Sequence, residues 1–384
     1  MDIFYNYKEN KWQSNCTNTS LFGKNLLEVT PGNINGHPGF PVKKRDDKVG
    51  PLVAILTSKE GRPDFYGNRS TFKRIHDCLQ SSGGISFVMT PEGYDGEKIV
   101  GYLYDDGEWR KVHFPLPDII YNRVASYKAE KQLGAIRNMA FNNAIPFYNP
   151  HFFEKWETYK QLNENEFLKK YLPDTELLES KAQLENWLVL YRSILIKPIL
   201  SNRGNGIFLI NKLDDLIEVK SNNSRKQYES ISDVWDELNP SQQRSNIIQR
   251  KVNLKQYNKR PFDLRILVQR KKDLWEITGI GVRRAADNAI TTHVPWGGQV
   301  LPFETISTGL SIEEVDFLAD QVARQLELAY GYLCEFSIDL GIDEDGHLWI
   351  FEVNSKPMKF DEPHIQEKAL TTLIECFNAD AGFS

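Results

Sequence analysis

Three oxygen-bearing side chains near the end of the chain have the types and spacing of a metal site. Asp339 lies in an apolar stretch at 334–343, and Glu352 and Asn354 lie in a second one at 347–354. The Asp-Glu-Asp-Gly sequence between the stretches is typical of a tight turn, so they are predicted to form a β-hairpin. The turn brings the three side chains together, and three oxygen donors suit Mg²⁺ that also holds water and phosphate oxygens.

The second strand of this hairpin has one polar and one apolar face. Alternation along a strand puts Glu352 and Asn354 on one face and Trp349, Phe351 and Val353 on the other. Taken alone, the polar face fits a solvated strand as well as it fits a metal site. Because the apolar face indicates an inner strand, where carboxylates cost free energy unless they are paired or metal-bound, the metal site is favoured.

Lys197 could bind an anion together with the glycine-containing loop that follows it. It ends the apolar stretch 193–198, and Ser-Asn-Arg-Gly-Asn-Gly follows at 201–206. An ammonium group that faces a flexible backbone can bind phosphate. The pattern is neither a Walker A loop nor a dinucleotide-binding fingerprint. A strand end followed by an ordinary hairpin explains it equally well.

Two further stretches place cations near the acidic trio. In the predicted strand 260–268, Asp263 and Arg265 share a face and could pair with each other. Arg283 and Arg284 close the next predicted strand and could equally lie at its rim. Lys197, Arg265 and one of these arginines, set against the acidic trio, would suit a nucleoside triphosphate bound through Mg²⁺.

Other candidate residues have weaker support from the sequence alone. Lys155 lies in a predicted amphipathic helix over 151–172, where most lysines are solvated. Phosphoryl transfer through a phosphohistidine would need a partner motif, and neither His293 nor His347 has one. His293 lies in the stretch 292–298, which is predicted to shape a substrate pocket, although a surface position suits this histidine as well.

Composition limits the classes of protein to consider. The 384 residues are 40% hydrophobic with a net charge of −5, which is typical of a globular protein and gives no indication of nucleic-acid binding. No apolar run approaches the roughly 20 residues that a membrane span needs, and no signal peptide is apparent. The four cysteines are widely spaced, which favours a reducing, cytosolic compartment over a disulfide framework.

The elements that must position these residues divide into three parts. Residues 1–48 are predicted to be an irregular extension, and 49–150 a small open α/β domain in which strands alternate with helices. Residues 151–384 hold the candidate site, with a separate lid at about 185–250. A capping box, Ser311 with Glu314, predicts the start of a long helix before the hairpin.

Five stretches stand out along the chain: Pro-Leu-Pro-Asp-Ile-Ile-Tyr-Asn-Arg at 115–123, Phe-Glu-Lys-Trp-Glu at 153–157, Leu-Pro-Asp-Thr at 172–175, Arg-Pro-Phe-Asp-Leu-Arg at 260–265 and Glu-Val-Asn-Ser-Lys-Pro at 352–357. With these stretches, the order of the motifs over residues 50 to 365 resembles the ATP-grasp superfamily, and within it the YheC/YheD-like endospore coat-associated family. That family implies a small α/β domain followed by ATP-grasp subdomains with antiparallel sheets, an α+β fold.

The resemblance implies a role for each part of the site. Two Mg²⁺ ions would be held, one by Asp339 and Glu352 and the other by Glu352 and Asn354. Arg265 and Arg283 would face the γ-phosphate and, with Lys197, act in catalysis. The ATP-binding residues would be Lys155, Lys197, the lid residues Ser201, Arg203, Gly204 and Gly206, and the adenine hinge Gln249, Arg250, Lys251 and Val252.

The implied activity is ATP-dependent ligation of a carboxylate to an amine or thiol through an acylphosphate. The substrates could include a peptide or a coat protein, in the mother cell or the spore coat. A structural coat protein that binds ATP without catalysis is the alternative. The chain departs from D-alanine ligases at Ser337, where an arginine is frequent, at Ser355–Met358, and at Gln256, where an acid would bind ribose.

Overall fold

The first β-sheet is built from the residues before position 51. The computed structural model describes residues 1–32, 39–200, 204–238, 246–306 and 310–383. In this first part the strands are β1 (Asp2–Asn6), β2 (Lys11–Ser14), β3 (Ser20–Phe22), β4 (Leu27–Pro31), β5 (Phe40–Pro41), β6 (Lys43–Arg45) and β7 (Lys48–Gly50), in the spatial order β5-β1-β2-β4-β3-β7-β6.

The prediction that residues 1–48 are irregular is therefore wrong. The strands are between two and five residues long, and several pair with partners distant in sequence, as β3 does with β7. Such short segments carry little periodic signal. Trp12 anchors the sheet, because its ring packs against Phe22 and Phe114 and its indole N–H donates to the His113 carbonyl at 2.8 Å.

The second sheet is mixed and lies against the first. Its strands are β8 (Leu52–Leu56), β9 (Ile85–Met89), β10 (Ile99–Asp105), β11 (Glu108–Phe114), β12 (Ile119–Asn122) and β13 (Phe147–Tyr148), in the order β11-β10-β9-β8-β12-β13, and its helices are α1 (Arg69–Ser81), α2 (Tyr127–Glu130) and α3 (Gly134–Asn142). Every residue of β8 is buried, because this parallel strand is covered on both faces. The predicted strands 52–56 and 85–89 are confirmed.

The third sheet is antiparallel. Its elements, after α4 (Lys155–Asn163), are β14 (Thr175–Leu177), α5 (Lys181–Tyr191), β15 (Ser193–Pro198), β16 (Phe208–Lys212), β17 (Ile217–Lys220), β18 (Arg225–Tyr228), α6 (Ile231–Leu238) and β19 (Asn246–Arg250). The strand order is β14-β19-β15-β16-β17-β18. Leu184 and Leu188 of α5 and Val234 of α6 pack on Ile196 and Ile248, which gives this region a core of its own.

The fourth sheet carries the candidate site. Its elements are β20 (Gln256–Tyr257), β21 (Arg260–Lys271), β22 (Leu274–Arg284), β23 (Gln299–Leu301), α7 (Ile312–Tyr330), β24 (Glu335–Ile342), β25 (Leu348–Asn354) and α8 (Pro363–Asp380), with the strand order β23-β22-β21-β24-β25. Short 3₁₀ helices occur at Pro91–Gly93, Leu168–Tyr171, Val294–Trp296 and Phe303–Thr305. The Ser311 hydroxyl accepts the Glu314 N–H at 3.1 Å, which confirms the predicted start of α7.

The two faces of the fourth sheet have different partners. Leu264 and Ile338 point to one face and pack on Val322 of α7. On the opposite face, Ile365 of α8 packs on Leu267, while Phe377 at the other end of α8 packs in the core of the second sheet. Helix α8 thus joins the second and fourth sheets. No helix in the described ranges combines the length and the apolar character needed to cross a membrane.

Candidate functional site

The face of the fourth sheet on which α8 packs also gathers the predicted site residues in one row. Arg265 on β21 lies opposite Asp339 on β24, and Asp339 lies opposite Glu352 on β25. Directly opposed residues of neighbouring strands project to the same face, so these three side chains converge. Asn354 lies two residues beyond Glu352, opposite Ser337. The predicted hairpin is confirmed, and its turn uses Gly346 at a φ of 88°.

A β-bulge in this hairpin changes which apolar side chains face the site. Asp339 pairs with Glu352, but Leu340 pairs with Ile350, so Phe351 is an extra residue on β25. The prediction that Phe351 and Val353 share the apolar face is wrong, because Ile350 and Val353 enter the core. The Phe351 ring instead lies 5.9 Å from the Lys197 ammonium.

Asp339 is held by two arginines. Arg265 Nε and Nη2 donate to its two carboxylate oxygens, each at 3.0 Å, and Arg283 Nη2 lies 3.2 Å from Oδ1. Burial alone would raise the pKa of Asp339, but the guanidinium groups of Arg265 and Arg283 outweigh burial and hold that pKa well below its ordinary value. Asp339 is therefore an anion at neutral pH.

Asp263 positions Arg283 instead of pairing with Arg265 on its own strand. Its carboxylate accepts two hydrogen bonds from Arg283, at 2.9 and 2.7 Å, and a third from the Thr292 hydroxyl at 2.6 Å. Arg283 and Asp263 are both 5% exposed. Burial would lower the pKa of Arg283, but Asp263 and Asp339 raise it, so this arginine stays charged. Asp263 thus ties the stretch that begins at Thr292 to the site.

Both predicted phosphate lysines lie at the site. Lys155 is the first residue of α4, and its Nζ lies 3.1 Å from Glu352 Oε1 with the side chain only 10% exposed. Lys197 is buried and donates to Gln249 Oε1 at 2.5 Å. Burial lowers the pKa of Lys197 to about 8, an effect that nearby Glu352 partly offsets. Lys155 therefore occupies a specific position that its helical sequence pattern did not indicate.

The predicted lid is described only in part. Gly204 and Gly206 have φ values of 70° and 72°, a backbone conformation that glycine adopts without strain. A Cβ at Gly204 would lie 3.5 Å from Trp296 Nε1, so the loop touches the stretch that carries Thr292. Ser201 and Arg203, also predicted to bind nucleotide, lie outside the described residues.

The predicted adenine hinge already uses part of its backbone. The Arg250 N–H donates to the Asp174 carbonyl at 2.9 Å and the Lys251 N–H to the Ser193 carbonyl at 3.2 Å. Gln249 accepts from Lys197 through its side chain. Residues 249–252 are predicted to bind adenine through backbone groups. Because the N–H groups of Arg250 and Lys251 already donate to other carbonyls, this prediction now concerns the other backbone groups of the segment, which include those of Val252.

His293 lies nearer the site than its sequence context indicated. Its Nδ1 is buried and has no hydrogen-bond partner within the described ranges. Burial lowers the pKa of His293, and the charge of Arg283 adds to this effect while that of Asp339 opposes it. The hydrogen bond of the neighbouring Thr292 to Asp263 holds this stretch beside the charged row. No sequence pattern indicates the contact between Thr292 and Asp263, because these residues lie far apart in the chain.

The order of these elements and residues matches a known family. Residues 144–377 match the family described as YheC/D-like ATP-grasp, which is more than half of the chain. The chain belongs to the YheC/D-like ATP-grasp family. The resemblance inferred from the sequence motifs is therefore confirmed.

Two relatives of this ATP-grasp chain come from Bacillus subtilis (strain 168). Endospore coat-associated protein YheD is 29% identical over 342 residues, which is 83% of this chain and 75% of that protein. Endospore coat-associated protein YheC is 20% identical over 264 residues, which is 65% of this chain and 73% of that protein.

Solved structures share the ATP-grasp fold with this chain at low sequence identity. D-alanyl-alanine synthetase A from Vibrio cholerae O1 biovar eltor str. N16961 is 11% identical with a TM-score of 0.53, covering 87% of this chain and 99% of that one. VanG D-Ala:D-Ser ligase from Enterococcus faecalis is 10% identical with a TM-score of 0.52, covering 86% and 99%. The predicted α+β ATP-grasp fold class is confirmed.

The donor set of this YheC/D-like site fits a hard cation. The described part of the chain has no group of three or more His, Cys, Asp or Glu side chains that could hold a metal. Asp339 and Glu352, opposed in register, would therefore need the Asn354 amide oxygen and ligands from outside the protein. Two carboxylates, an amide, water and phosphate oxygens are the ligands that Mg²⁺ takes when it binds with a nucleotide.

Proposed function

We propose that this chain is an ATP- and Mg²⁺-dependent ligase that joins a carboxylate to an amine or a thiol through an acylphosphate. The observation that carries the proposal is the row Arg265, Asp339 and Glu352 on adjacent strands, with Lys155 on Glu352 and Lys197 beside it. Acidic and basic groups alternate there in a partly enclosed space. Such an arrangement suits the phosphates of a nucleotide and a divalent cation together.

In this proposal the site residues bind the phosphates, the Mg²⁺ ions and the adenine of ATP, or exclude water from them. Lys155 and Lys197 hold phosphate oxygens, and Arg265 and Arg283 face the γ-phosphate. Asp339, Glu352 and Asn354 would hold two Mg²⁺ ions, which neutralise charge on the triphosphate when bound. The hinge 249–252 holds adenine, and the loop 201–206 excludes water that would hydrolyse the acylphosphate.

The reaction needs no covalent bond to the protein. An oxygen of the substrate carboxylate attacks the γ-phosphorus, the bond to ADP breaks, and an acylphosphate forms. The amine or thiol then attacks the acyl carbon and phosphate leaves. The protein contributes orientation of the reactants and fixed positive charge where negative charge develops, through Arg265 and through Arg283, which Asp263 holds in position.

Similar proteins support the reaction class and suggest a setting. Two proteins of similar fold are named as D-alanyl-alanine synthetase A and D-Ala:D-Ser ligase. The ATP-grasp ligase PsnB, solved in complex with a minimal precursor, has a TM-score of 0.50 to this chain. The relatives named for the endospore coat support a role in the mother cell or spore coat, with a peptide or coat protein as one substrate.

A second candidate function is ATP binding by a structural coat protein without catalysis. The favouring observation is that the site is electrically satisfied without ligands, because Arg265 and Arg283 neutralise Asp339 and Lys155 neutralises Glu352. A site that is stable in this form can persist without turnover.

Two measurements test the proposal in sequence. A ligand that binds only the native state raises the melting temperature, so Mg²⁺ with a non-hydrolysable ATP analogue should stabilise the wild-type protein more than either does alone. ADP release and hydroxamate formation are then measured with ATP, a panel of amino acids and peptides, and hydroxylamine as the trapping nucleophile. Hydroxamate supports the ligase. Stabilisation with no ADP or hydroxamate supports the structural alternative, and no stabilisation contradicts both.

A further inference from the structure

Helix α8 begins beside the row of charged residues, with Glu362 as its N-cap. The Glu362 side chain makes no capping hydrogen bond to the helix. Its carboxylate extends over β22, because a Cβ at Gly281 would lie 2.8 Å from Glu362 Oε1. Only a residue without a side chain at position 281 leaves the carboxylate this place.

The position over Gly281 belongs to the same sheet face as the candidate site. Gly281 lies opposite Arg265, and Arg265 lies opposite Asp339. Because neighbouring strands are about 4.8 Å apart, the Glu362 carboxylate lies over a point roughly 10 Å across the sheet from Asp339. Arg283 lies two residues further along β22, which places it on the same face as Gly281.

Glu362 differs from the other carboxylates of this face in having no partner among the residues that the structure describes. Asp263, Asp339 and Glu352 each bind a cationic side chain. The Glu362 carboxylate makes no hydrogen bond or ion pair within the described residues, although it is half-buried on the sheet face that carries Arg265 and Arg283. A half-buried carboxylate without a partner costs free energy relative to a paired one. Ligand binding would recover this free energy.

We propose that Glu362 determines the acceptor specificity of the site by binding the ammonium group of an amine acceptor. This inference rests on the proposed ligase function and selects an amine over a thiol. The donor carboxylate and the phosphates are anions, so Glu362 repels them and Arg265 and Arg283 attract them. Before the attack, the bound ammonium group passes one proton to the Glu362 carboxylate, and the neutral amine that results attacks the acyl carbon.

The test measures binding of glycinamide, a small primary amine without a carboxylate, by saturation-transfer NMR. Wild-type protein, Glu362→Gln and Asp361→Asn are loaded with Mg²⁺ and the non-hydrolysable ATP analogue at about pH 6.5, where an α-amine is protonated. Asp361 is the exposed acidic neighbour of Glu362 and serves as the matched control. Acetamide, a neutral amide, reports binding that does not depend on charge.

We expect a glycinamide signal from wild type and Asp361→Asn, at least tenfold weaker in Glu362→Gln, and none for acetamide. Gly281→Ala should weaken the signal in the same way, because the added Cβ would displace the carboxylate. An equal signal in Glu362→Gln, or no glycinamide signal from wild type, overturns the proposal.

Two further outcomes separate this inference from the ligase proposal. If Glu362→Gln keeps the glycinamide signal but changes the stabilisation by Mg²⁺ and the ATP analogue, Glu362 tunes the arginines and the acceptor role is wrong. If the wild-type protein is not stabilised by nucleotide, the ligase proposal fails. In that case the glycinamide signals of wild type and Glu362→Gln are compared without nucleotide. A weaker signal in Glu362→Gln then still shows that Glu362 binds an ammonium group, and equal signals show that it does not.

Discussion

The Lys155 ammonium lies 3.1 Å from the Glu352 carboxylate, so the first residue of α4 and the last strand of the fourth sheet share a charge pair. Asp339 is held in the same way by Arg265 and Arg283. Lys155, Arg265 and Arg283, which are proposed to face phosphate, are thus each paired with a residue proposed to bind metal. Binding of a metal–nucleotide complex would exchange these internal pairs for pairs with the ligand, at little cost in net charge.

Replacing Glu352 with Gln should abolish ADP release and leave the fold intact. The substitution keeps the shape of the side chain but removes the negative charge that Mg²⁺ requires. We expect a loss of at least a hundredfold in the hydroxamate assay, with an unchanged circular dichroism spectrum. Glu344, exposed in the turn of the same hairpin, provides the control Glu344→Gln, which should behave as wild type. Wild-type turnover by Glu352→Gln would show that the metal assignment is wrong.

Nucleotide affinity should fall as the pH rises through about 8. The pKa of Lys197 in the folded protein is about 8, below its ordinary value of 10.5, because of burial. The charged fraction of Lys197 is therefore lost above this pH in the ligand-free protein. If only the charged form binds phosphate, the affinity for Mg²⁺ with the ATP analogue should fall about tenfold from pH 7 to pH 9, measured by calorimetry.

The matched variant for this pH dependence is Lys197→Arg. A guanidinium stays charged over the whole range, so any residual affinity of this variant should be nearly independent of pH between 7 and 9. A wild-type affinity that is equally flat would exclude titration of Lys197 as a factor in nucleotide binding.

Replacing Asp263 with Asn should destabilise the protein by about 3–5 kcal/mol, because Arg283 would remain buried without its main counter-charge. Asp263 binds both Arg283 and Thr292. The comparison variant is Asp287→Asn, which breaks the ion pair between Arg260 and Asp287. Because the Asp287 side chain is 71% exposed, this substitution should lower the free energy of unfolding by less than about 1 kcal/mol. Urea unfolding midpoints compare the two, and equal midpoints would contradict the structural role of Asp263.

Helix α2, which packs with the second sheet, contacts the segment that follows Asn354 through a buried ion pair. Lys356 Nζ lies 2.6 Å from Glu130 Oε1, with both side chains 6% exposed. Burial lowers the pKa of Lys356 to about 8, and Glu130 partly offsets this. Lys356→Met would leave Glu130 buried without a cation, so we expect a loss of about 3–5 kcal/mol.

The control for Lys356 is Lys359→Met, since Lys359 is exposed three residues away. It should change the unfolding free energy by less than about 0.5 kcal/mol. Calorimetric melting temperatures distinguish the two variants, and a melting temperature of Lys356→Met equal to that of Lys359→Met would show that the buried pair does not couple these regions.

Several elements were predictable because their signals are local. The Asp-Glu-Asp-Gly turn predicted the hairpin that carries Asp339 and Glu352, and Ser311 with Glu314 predicted the start of α7. By contrast, the strands before residue 51 are short and pair across long separations. Their local composition, rich in turn-forming residues, pointed to irregular structure.

The sequence by itself determined the residue types of the site, the hairpin and the family, because alternation, turn chemistry and motif order are properties of the chain. Only the tertiary structure decided which groups meet. The bulge at Phe351 turned that ring toward Lys197, and Asp263 paired with Arg283 on the next strand. The approach of α8 to Gly281 placed Glu362 beside the site. These contacts depend on strand register and helix packing, which act between segments far apart in sequence.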